Sequence, residues 1–271
     1  AGKEVLPALV DIPITEEERA KKRKICVATT LVDKSAPSIK RGLFRSILVA
    51  EDVWVSPCVR RIHSDQEPGV LANQEALHEN AILLTLTEGH ASKDNPVAEG
   101  AISYLSSAAR TALEAASENL SKEVKEFLYM YAVEWAAVLW SAKSAEECGE
   151  TRVKVRVKDV IPFMSGVLWP EGPGHKAEKD SPSGKFGFFL VPSMIVPGGS
   201  VIITAEPGEP TRIVVATTVR QHSHEGKLIF PKKGEISVPK ELRGRPKKGV
   251  AKTKGPKRGR GRPRKDAVPK G

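Results

Sequence analysis

Two carboxylates, Asp65 and Glu99, have the residue types and the positions in the chain that metal-dependent chemistry needs. Asp65 follows a predicted strand over residues 58–64, and Glu99 lies in the first turn of a predicted helix over residues 97–117. Carboxylate oxygens bind Mg²⁺ or Mn²⁺, and two such ions about 4 Å apart activate a nucleophile and stabilise the leaving oxygen in phosphoryl transfer. The alternative is a structural role, because Asp is common in turns and Glu suits the positive end of a helix dipole.

The elements around these two acids alternate between strand and helix, which is typical of an α/β domain. An acid at a strand tip and an acid on a nearby helix can share divalent metal ions in such an arrangement. Apolar spacing predicts helices over residues 36–50, 73–80, 97–117 and 121–143, and strands over residues 4–13, 24–32, 58–64 and 81–86. No apolar run approaches the roughly 18 residues that a membrane-spanning helix needs, so no membrane segment is expected.

From Thr151 onwards the sequence changes to β-rich segments separated by turns rich in Gly and Pro. Their spacing favours a small antiparallel barrel or sandwich, with predicted strands over residues 153–161, 186–191, 200–205 and 211–219. We therefore expect two folded units, residues 1–143 and residues 151–220, followed by a disordered basic tail over residues 231–271.

The positive charge of the chain is concentrated at its C-terminal end. Residues 240–271 hold 14 Lys and Arg residues and two acids, a net charge of +12, which leaves −2 of the total of +10 for the other 239 residues. A basic segment beside a near-neutral body favours a polyanion partner, nucleic acid above all. The alternative is a tail that keeps the protein soluble or directs it to the nucleus.

Two copies of one short motif lie within this tail: Arg243-Gly244-Arg245-Pro246 and Arg260-Gly261-Arg262-Pro263, each followed by two basic residues. Each copy resembles the core of an AT-hook. Glycine lets the backbone lie deep in a narrow groove, and proline keeps the segment extended. The two arginines can then run along the floor of an A·T-rich minor groove, where the negative potential is enhanced. The motifs predict DNA, preferentially A·T-rich DNA, as the partner.

Five short segments carry a resemblance to a known family. They are His63–Gly69, Thr85–His90, Asn95–Glu99, Ala108–Leu113 and Tyr131–Ala137. In this order and at these distances, the chain resembles the integrase core of LTR retrotransposon polyproteins, especially those of Ty1/copia-like elements. The resemblance covers roughly residues 5–143 and extends more weakly into residues 151–219.

The resemblance implies an RNase H-like integrase core with a metal-binding triad of two aspartates and one glutamate. Asp65 would be the second acid and Glu99 the third, and Mg²⁺ or Mn²⁺ would be the cofactor of an active enzyme. The family's first acid lies on the first strand of the core and is followed by Gly-Pro. Asp11 is the only upstream aspartate on a predicted strand, but Ile-Pro-Ile follows it and it aligns better with the second strand.

The chain is therefore expected to begin after the first strand of the core, or to hold a degenerate one, and its catalytic triad is expected to be incomplete. The family's long helix also carries basic residues that approach DNA. Here Ser106, Ser107 and Ala108 stand at those positions and leave Arg110 as the DNA-binding cation of the helix.

These expectations combine into a retrotransposon-derived, integrase-like protein of the nucleus that binds nucleic acid. Its ancestral metal-dependent DNA strand transfer is expected to be impaired. One alternative is a non-catalytic chromatin or DNA-binding protein that acts through the AT-hook-like motifs, and another is a product without a selected role. Self-association into a homo-oligomer stays open.

Overall fold

The computed structural model describes residues 25–29, 31, 33–55, 58–64, 66–87, 96–116, 120–170, 184–205 and 210–239. Both helices and strands are present in this part of the chain, which confirms the predicted mixed α/β class. The predicted strand over residues 4–13 and the basic segment 240–271 lie outside the described residues. None of the described helices combines the length and the apolar character needed to cross a membrane.

The first helix, α1 (Ala36–Leu48), has a proline in its first turn and apolar residues at helical spacing, and it confirms the helix predicted over residues 36–50. It continues without a break into a π-helical turn (Val49–Val53). There the N–H group of Trp54 donates to the carbonyl of Val49 at 3.3 Å. The turn places Trp54 in the core, where this residue is only 1% exposed.

A strand–helix–strand unit follows the π-helical turn. Strand β1 (Arg61–Ser64) pairs in parallel with strand β2 (Leu83–Leu86), and Ser64 lies opposite Leu86 at their carboxyl ends. The short helices α2 (Pro68–Leu71) and α3 (Gln74–Glu79) lie in the crossover that parallel pairing requires. Both strands confirm the predicted ones, although each is shorter than predicted.

The crossover is attached to α1 by side-chain hydrogen bonds and close packing. The amide nitrogen Nδ2 of Asn73 donates to the carbonyl of Ala36 at 2.9 Å and to the carbonyl of Gly69 at 2.7 Å. A Cβ atom on Gly69 would lie 2.1 Å from Cδ1 of Ile39, so α2 approaches the side chain of Ile39 on α1 closely at this glycine. Together these contacts hold the crossover, which follows residue 65, against α1.

Two long helices, α4 (Pro96–Ala115) and α5 (Lys122–Glu147), confirm the helices predicted over residues 97–117 and 121–143. Helix α4 buries residues spaced four apart, such as Leu105 and Ala109, which face the core. Its Tyr104 ring makes an edge contact with Trp140 of α5, with the ring centroids 4.4 Å apart.

The C-terminal half of the described chain forms a five-stranded antiparallel sheet. Its strands are β3 (Gly166–Trp169), β4 (Lys185–Pro192), β5 (Ser200–Thr204), β6 (Ile213–Ala216) and β7 (Arg220–Gln221). Their order in the sheet is β6–β5–β4–β3–β7. Strands β4, β5 and β6 confirm the predicted segments. A short hairpin of β8 (Ser223–His224) and β9 (Lys227–Leu228) follows.

One hydrophobic core joins the helical half to the sheet, with α5 packed against both α4 and β4. Leu128 of α5 and Phe188 of β4 are both 0% exposed and belong to this cluster. The indole N–H of Trp135 donates to the carbonyl of Ile161 at 3.0 Å. The core therefore crosses the predicted boundary between residues 143 and 151.

The predicted strand over residues 24–32 is wrong for the residues that the structure describes, since 25–29 and 31 belong to no strand. The reason is a helix side chain that takes over the backbone groups of Cys26. The N–H of Cys26 donates to Oγ of Ser141 at 2.8 Å, and that hydroxyl donates to the carbonyl of Cys26 at 2.8 Å. The segment therefore lies against α5 instead of pairing with a strand.

The predicted strand over residues 153–161 is also wrong, because this segment holds a short 3-10 helix (Val157–Asp159) and no strand. Its backbone N–H groups have partners other than a neighbouring strand. The N–H of Lys154 donates to the carbonyl of Val53 at 3.0 Å, and that of Arg156 donates to a carboxylate oxygen of Asp159 at 3.2 Å. The alternation of valine and cations indicates a half-buried segment, but it does not specify strand pairing.

The sequence predicts a disordered tail from residue 231 onwards, and for residues 231–239 this prediction is wrong. Ile236 is 5% exposed and belongs to the main core, and the N–H of Ser237 donates to Oγ1 of Thr211 at 3.2 Å. Residues 231–239 therefore pack against the folded body.

Candidate functional site

The carboxyl ends of β1 and β2 lie next to position 65 in the chain. The N–H of Thr87 donates to the carbonyl of Ser64 at 3.0 Å, and Nε2 of Gln66 donates to the carbonyl of Thr87 at 3.3 Å. These two hydrogen bonds tie the chain on either side of position 65 to the end of β2. Asp65 itself lies outside the described residues, so its side chain has no geometry to report.

A histidine on β1 adds a further link between the two strands. The ring nitrogen Nδ1 of His63 lies 3.0 Å from the hydroxyl Oγ1 of Thr85, directly across the parallel pair. This contact lies two residues before Asp65. It adds to the rigidity of the strand end that precedes the predicted acid.

Glu99 lies where the sequence predicts, in the first turn of α4, and its side chain is exposed. At 100° per residue, Glu99 and Arg110 lie on one side of the helix, separated by about 16.5 Å along its axis. Arg110 is exposed as well. Helix α4 thus exposes a carboxylate and a guanidinium group to solvent on one face, while Leu105 and Ala109 face the core.

The π-helical turn positions the approach to β1. Oε1 of Glu51, within this turn, accepts a hydrogen bond from the N–H of Val59 at 2.7 Å. The bond holds the segment that leads into β1 against the end of α1. Sequence periodicity contains no signal for this feature, because a π-helical turn has the same composition as the helix that it extends.

The carboxyl group of Asp33, just before α1, has a lowered pKa. The hydroxyl and the N–H of Ser35 both donate to Oδ1 of Asp33. These bonds, with a smaller contribution from the charge of Arg41, hold the pKa of the Asp33 carboxyl below its usual value. Asp33 is therefore ionised and engaged with the turn that begins the helix.

The structure describes one member of the predicted triad, Glu99. Asp65 and Asp11 lie outside the described residues, and so do the two tail motifs with Arg243, Gly244, Arg245, Pro246, Arg260, Gly261, Arg262 and Pro263. Among the described residues no group of three or more His, Cys, Asp or Glu side chains could hold a metal ion. A single exposed carboxylate is not a site for Mg²⁺ or Mn²⁺, so the metal stays a prediction.

A second charged surface was missed by the sequence reasoning. Three exposed cations, Lys40, Arg41 and Arg45, lie on α1, a helix of 13 residues without an acid. We call these three residues the cationic face of α1. Its signal was present in the sequence as a local excess of positive charge, but the much larger excess in the tail obscured it.

No protein-family model matches the chain, and no curated protein matches it.

Proposed function

We propose that this chain is a retrotransposon-derived, integrase-like protein that binds nucleic acid and has little or no DNA strand-transfer activity of its own. The partner is DNA, preferentially A·T-rich, held by the basic segment 240–271 in the nucleus. The RNase H-like fold, the metal site and the ancestral strand transfer belong to this proposal.

The observation that carries the integrase-like part is the parallel pairing of β1 with β2. It aligns the carboxyl ends of both strands immediately before Asp65. The chain then continues from β2 to α4, which exposes Glu99 in its first turn. An acid after a strand and an acid at the start of the next long helix suit a metal site beside a sheet edge.

The incomplete triad is the reason to expect weak chemistry. A bound Mg²⁺ or Mn²⁺ pair would activate the attacking hydroxyl and stabilise the leaving oxygen. Asp65 and Glu99 would each supply carboxylate oxygens to it. Without the family's first acid, such ions would be held weakly and poorly positioned relative to the DNA.

A strand-transfer assay with Mn²⁺ and a labelled DNA end tests this assignment. We expect little or no product, and we expect any product to disappear in Asp65→Asn and in Glu99→Gln. Glu114→Gln is the matched control, because Glu114 is also exposed on α4 and the substitution removes the same charge. Product formation that survives both substitutions would show that these acids do not bind the metal.

A second candidate function, a non-catalytic chromatin-binding protein, is supported by the repeated Arg-Gly-Arg-Pro motif alone. It predicts DNA binding that is independent of Asp65 and Glu99. Unchanged A·T-rich DNA affinity in both acid variants, together with no strand transfer under any metal condition, favours this candidate. Loss of DNA affinity in the acid variants would argue against it.

A further inference from the structure

The outward side of α1 is the most cationic helix surface of the described chain that the proposed function does not use. Lys40, Arg41 and Arg45 are exposed, and no acid lies within the helix. Two apolar side chains lie beside them: Leu48, which is 64% exposed, and Phe44, which is half-buried. Cationic and apolar side chains therefore share this surface.

The fold determines which side of α1 faces outward. Ser38 and Ile39 are 3% and 7% exposed, and they face the crossover and the core. A Cβ atom on Gly42 would lie 2.5 Å from Cδ2 of Leu31, so the segment before α1 packs closely on this same side. With 100° between successive residues, Lys40, Arg41 and Phe44 then lie on the side opposite these buried residues, and Arg45 lies at the edge of that side.

The neighbouring acids do not neutralise this surface. Asp33 is engaged with Ser35 at the start of the helix. Glu134 of α5 lines a small cavity together with Arg45. In the π-helical turn that continues α1, Glu51 accepts a hydrogen bond from the N–H of Val59 and Asp52 pairs with Lys154. Counting these four acids against Lys34, Lys154 and the cationic face of α1, positive charges outnumber negative ones by five to four. A net positive potential therefore remains on the outward side of α1.

The dimensions of the face suit a nucleic-acid strand. Lys40 and Arg45 are about 7.5 Å apart along the helix axis at a rise of 1.5 Å per residue. Successive phosphates of one DNA strand rise by about 3.4 Å, so the three cations span about two phosphate steps. Arginine presents a planar fork that matches phosphate oxygens, and the ring of Phe44 offers a flat apolar surface to a base.

We propose that the cationic face of α1 binds a nucleic-acid strand through its phosphates, with Phe44 and Leu48 contacting a base or a sugar. This inference rests on the proposed nucleic-acid binding and adds a folded contact to the one made by the tail. A nucleic acid is favoured over an acidic protein because the basic segment 240–271 recruits the same kind of polyanion. A strand held by that segment reaches α1 at a raised local concentration.

The test uses the full chain with Lys40, Arg41 and Arg45 all replaced by Gln. The control replaces three other exposed cations, Lys122, Lys143 and Lys158, by Gln, so the loss of charge is equal. Affinity for a labelled 20-mer, single-stranded and duplex, is measured by fluorescence anisotropy over a series of salt concentrations. Circular dichroism and the thermal unfolding midpoint check that both variants fold.

We expect the slope of log Kobs against log salt to fall by about 2.7 for the duplex and about 2.1 for the single strand, because each phosphate contact contributes about 0.9 or 0.7. The slope for the control variant differs from that of the unchanged protein by no more than about 0.9, the contribution of one phosphate contact to duplex DNA. Equal falls in variant and control would mean that only overall charge matters, and an unchanged slope in the variant would mean that α1 does not touch nucleic acid. Either result overturns the inference. Binding of polyglutamate, an acidic polypeptide, is measured alongside, and a variant that loses only this binding also overturns the inference.

A second variant separates this inference from the proposed function. Replacing Arg243, Arg245, Arg260 and Arg262 by Ala tests the tail alone. If that change removes the A·T preference while the α1 variant keeps its slope, the proposed function stands and the α1 inference fails. If the α1 variant loses slope while the tail variant is unchanged, the α1 inference stands and the tail assignment fails.

Discussion

Removing the hydroxyl of Ser141 should release the segment around Cys26 from helix α5. Ser141 is 0% exposed, and its Oγ both accepts from the N–H and donates to the carbonyl of Cys26, each at 2.8 Å. In Ser141→Ala both backbone groups lose their partner. A buried polar group without a partner costs about 1–3 kcal/mol. Because Cys26 is only half-buried, we expect about 1–3 kcal/mol for the pair together.

Two measurements report this change. Urea unfolding gives the free energy of unfolding, and reaction of the Cys26 thiol with a disulfide reagent reports local opening of the segment. The thiol experiment uses a background of Cys58→Ser and Cys148→Ser, because both of those cysteines are exposed and would react first. If the segment opens locally, a loss of 1–3 kcal/mol accelerates labelling by about 5- to 150-fold.

Ser103→Ala is the control, because Ser103 is exposed on α4 and the substitution removes the same hydroxyl. It should leave both measurements unchanged. If Ser141→Ala neither lowers the free energy of unfolding nor accelerates the labelling of Cys26, the two hydrogen bonds do not hold the segment, and this account of the failed strand prediction is wrong.

Three other expected outcomes follow from the same structure and sequence. Burial raises the pKa of the Cys26 thiol, so this thiol should react more slowly than the two exposed cysteines in the unsubstituted chain. The folded state also binds the thiol proton more tightly than the unfolded state does. The free energy of unfolding, measured with urea at alkaline pH, should therefore fall as pH rises from the ordinary thiol pKa through the raised one. Leu128→Ala should lower the free energy of unfolding by about 2–5 kcal/mol, because Leu128 is 0% exposed in the core; a smaller loss in urea titrations would contradict the central position of α5. Replacing Arg245 and Arg262 by Ala should weaken binding to A·T-rich DNA more than to G·C-rich DNA in anisotropy titrations, and an equal loss on both would mean that the tail acts only as a polycation.

The elements that could be predicted from the sequence are those whose signals are local. Helix α4 begins at Pro96 and buries residues spaced four apart, such as Leu105 and Ala109, so one short window contains the whole signal. The buried strand β4 is a continuous apolar run between turns, and it was found for the same reason.

The elements that were missed depend on partners far away in the sequence. The segment around Cys26 is held by Ser141, 115 positions later. The N–H of Lys154 is taken by the carbonyl of Val53. No periodicity within either segment could reveal these partners, because an alternating pattern indicates burial on one side and leaves the hydrogen-bonding partner unspecified.

The two acids of the candidate site differ in the same way, since one depends on a local signal and the other on a distant strand. The place of Glu99 in a first helical turn could be predicted from Pro96 and the apolar spacing after it, and the structure confirms it. The place of Asp65 after a parallel strand depends on β2, which follows a crossover of two short helices. The convergence of the two carboxylates is a tertiary property, and it stays a prediction.

The salt dependence of DNA affinity, measured for the full chain and for the chain without residues 240–271, tests the proposed nucleic-acid binding most directly. The removed segment holds 14 Lys and Arg residues. We expect its removal to weaken binding to A·T-rich duplex DNA strongly and to flatten the slope of log Kobs against log salt, since each lost phosphate contact lowers that slope by about 0.9. Unchanged affinity and an unchanged slope would contradict the account.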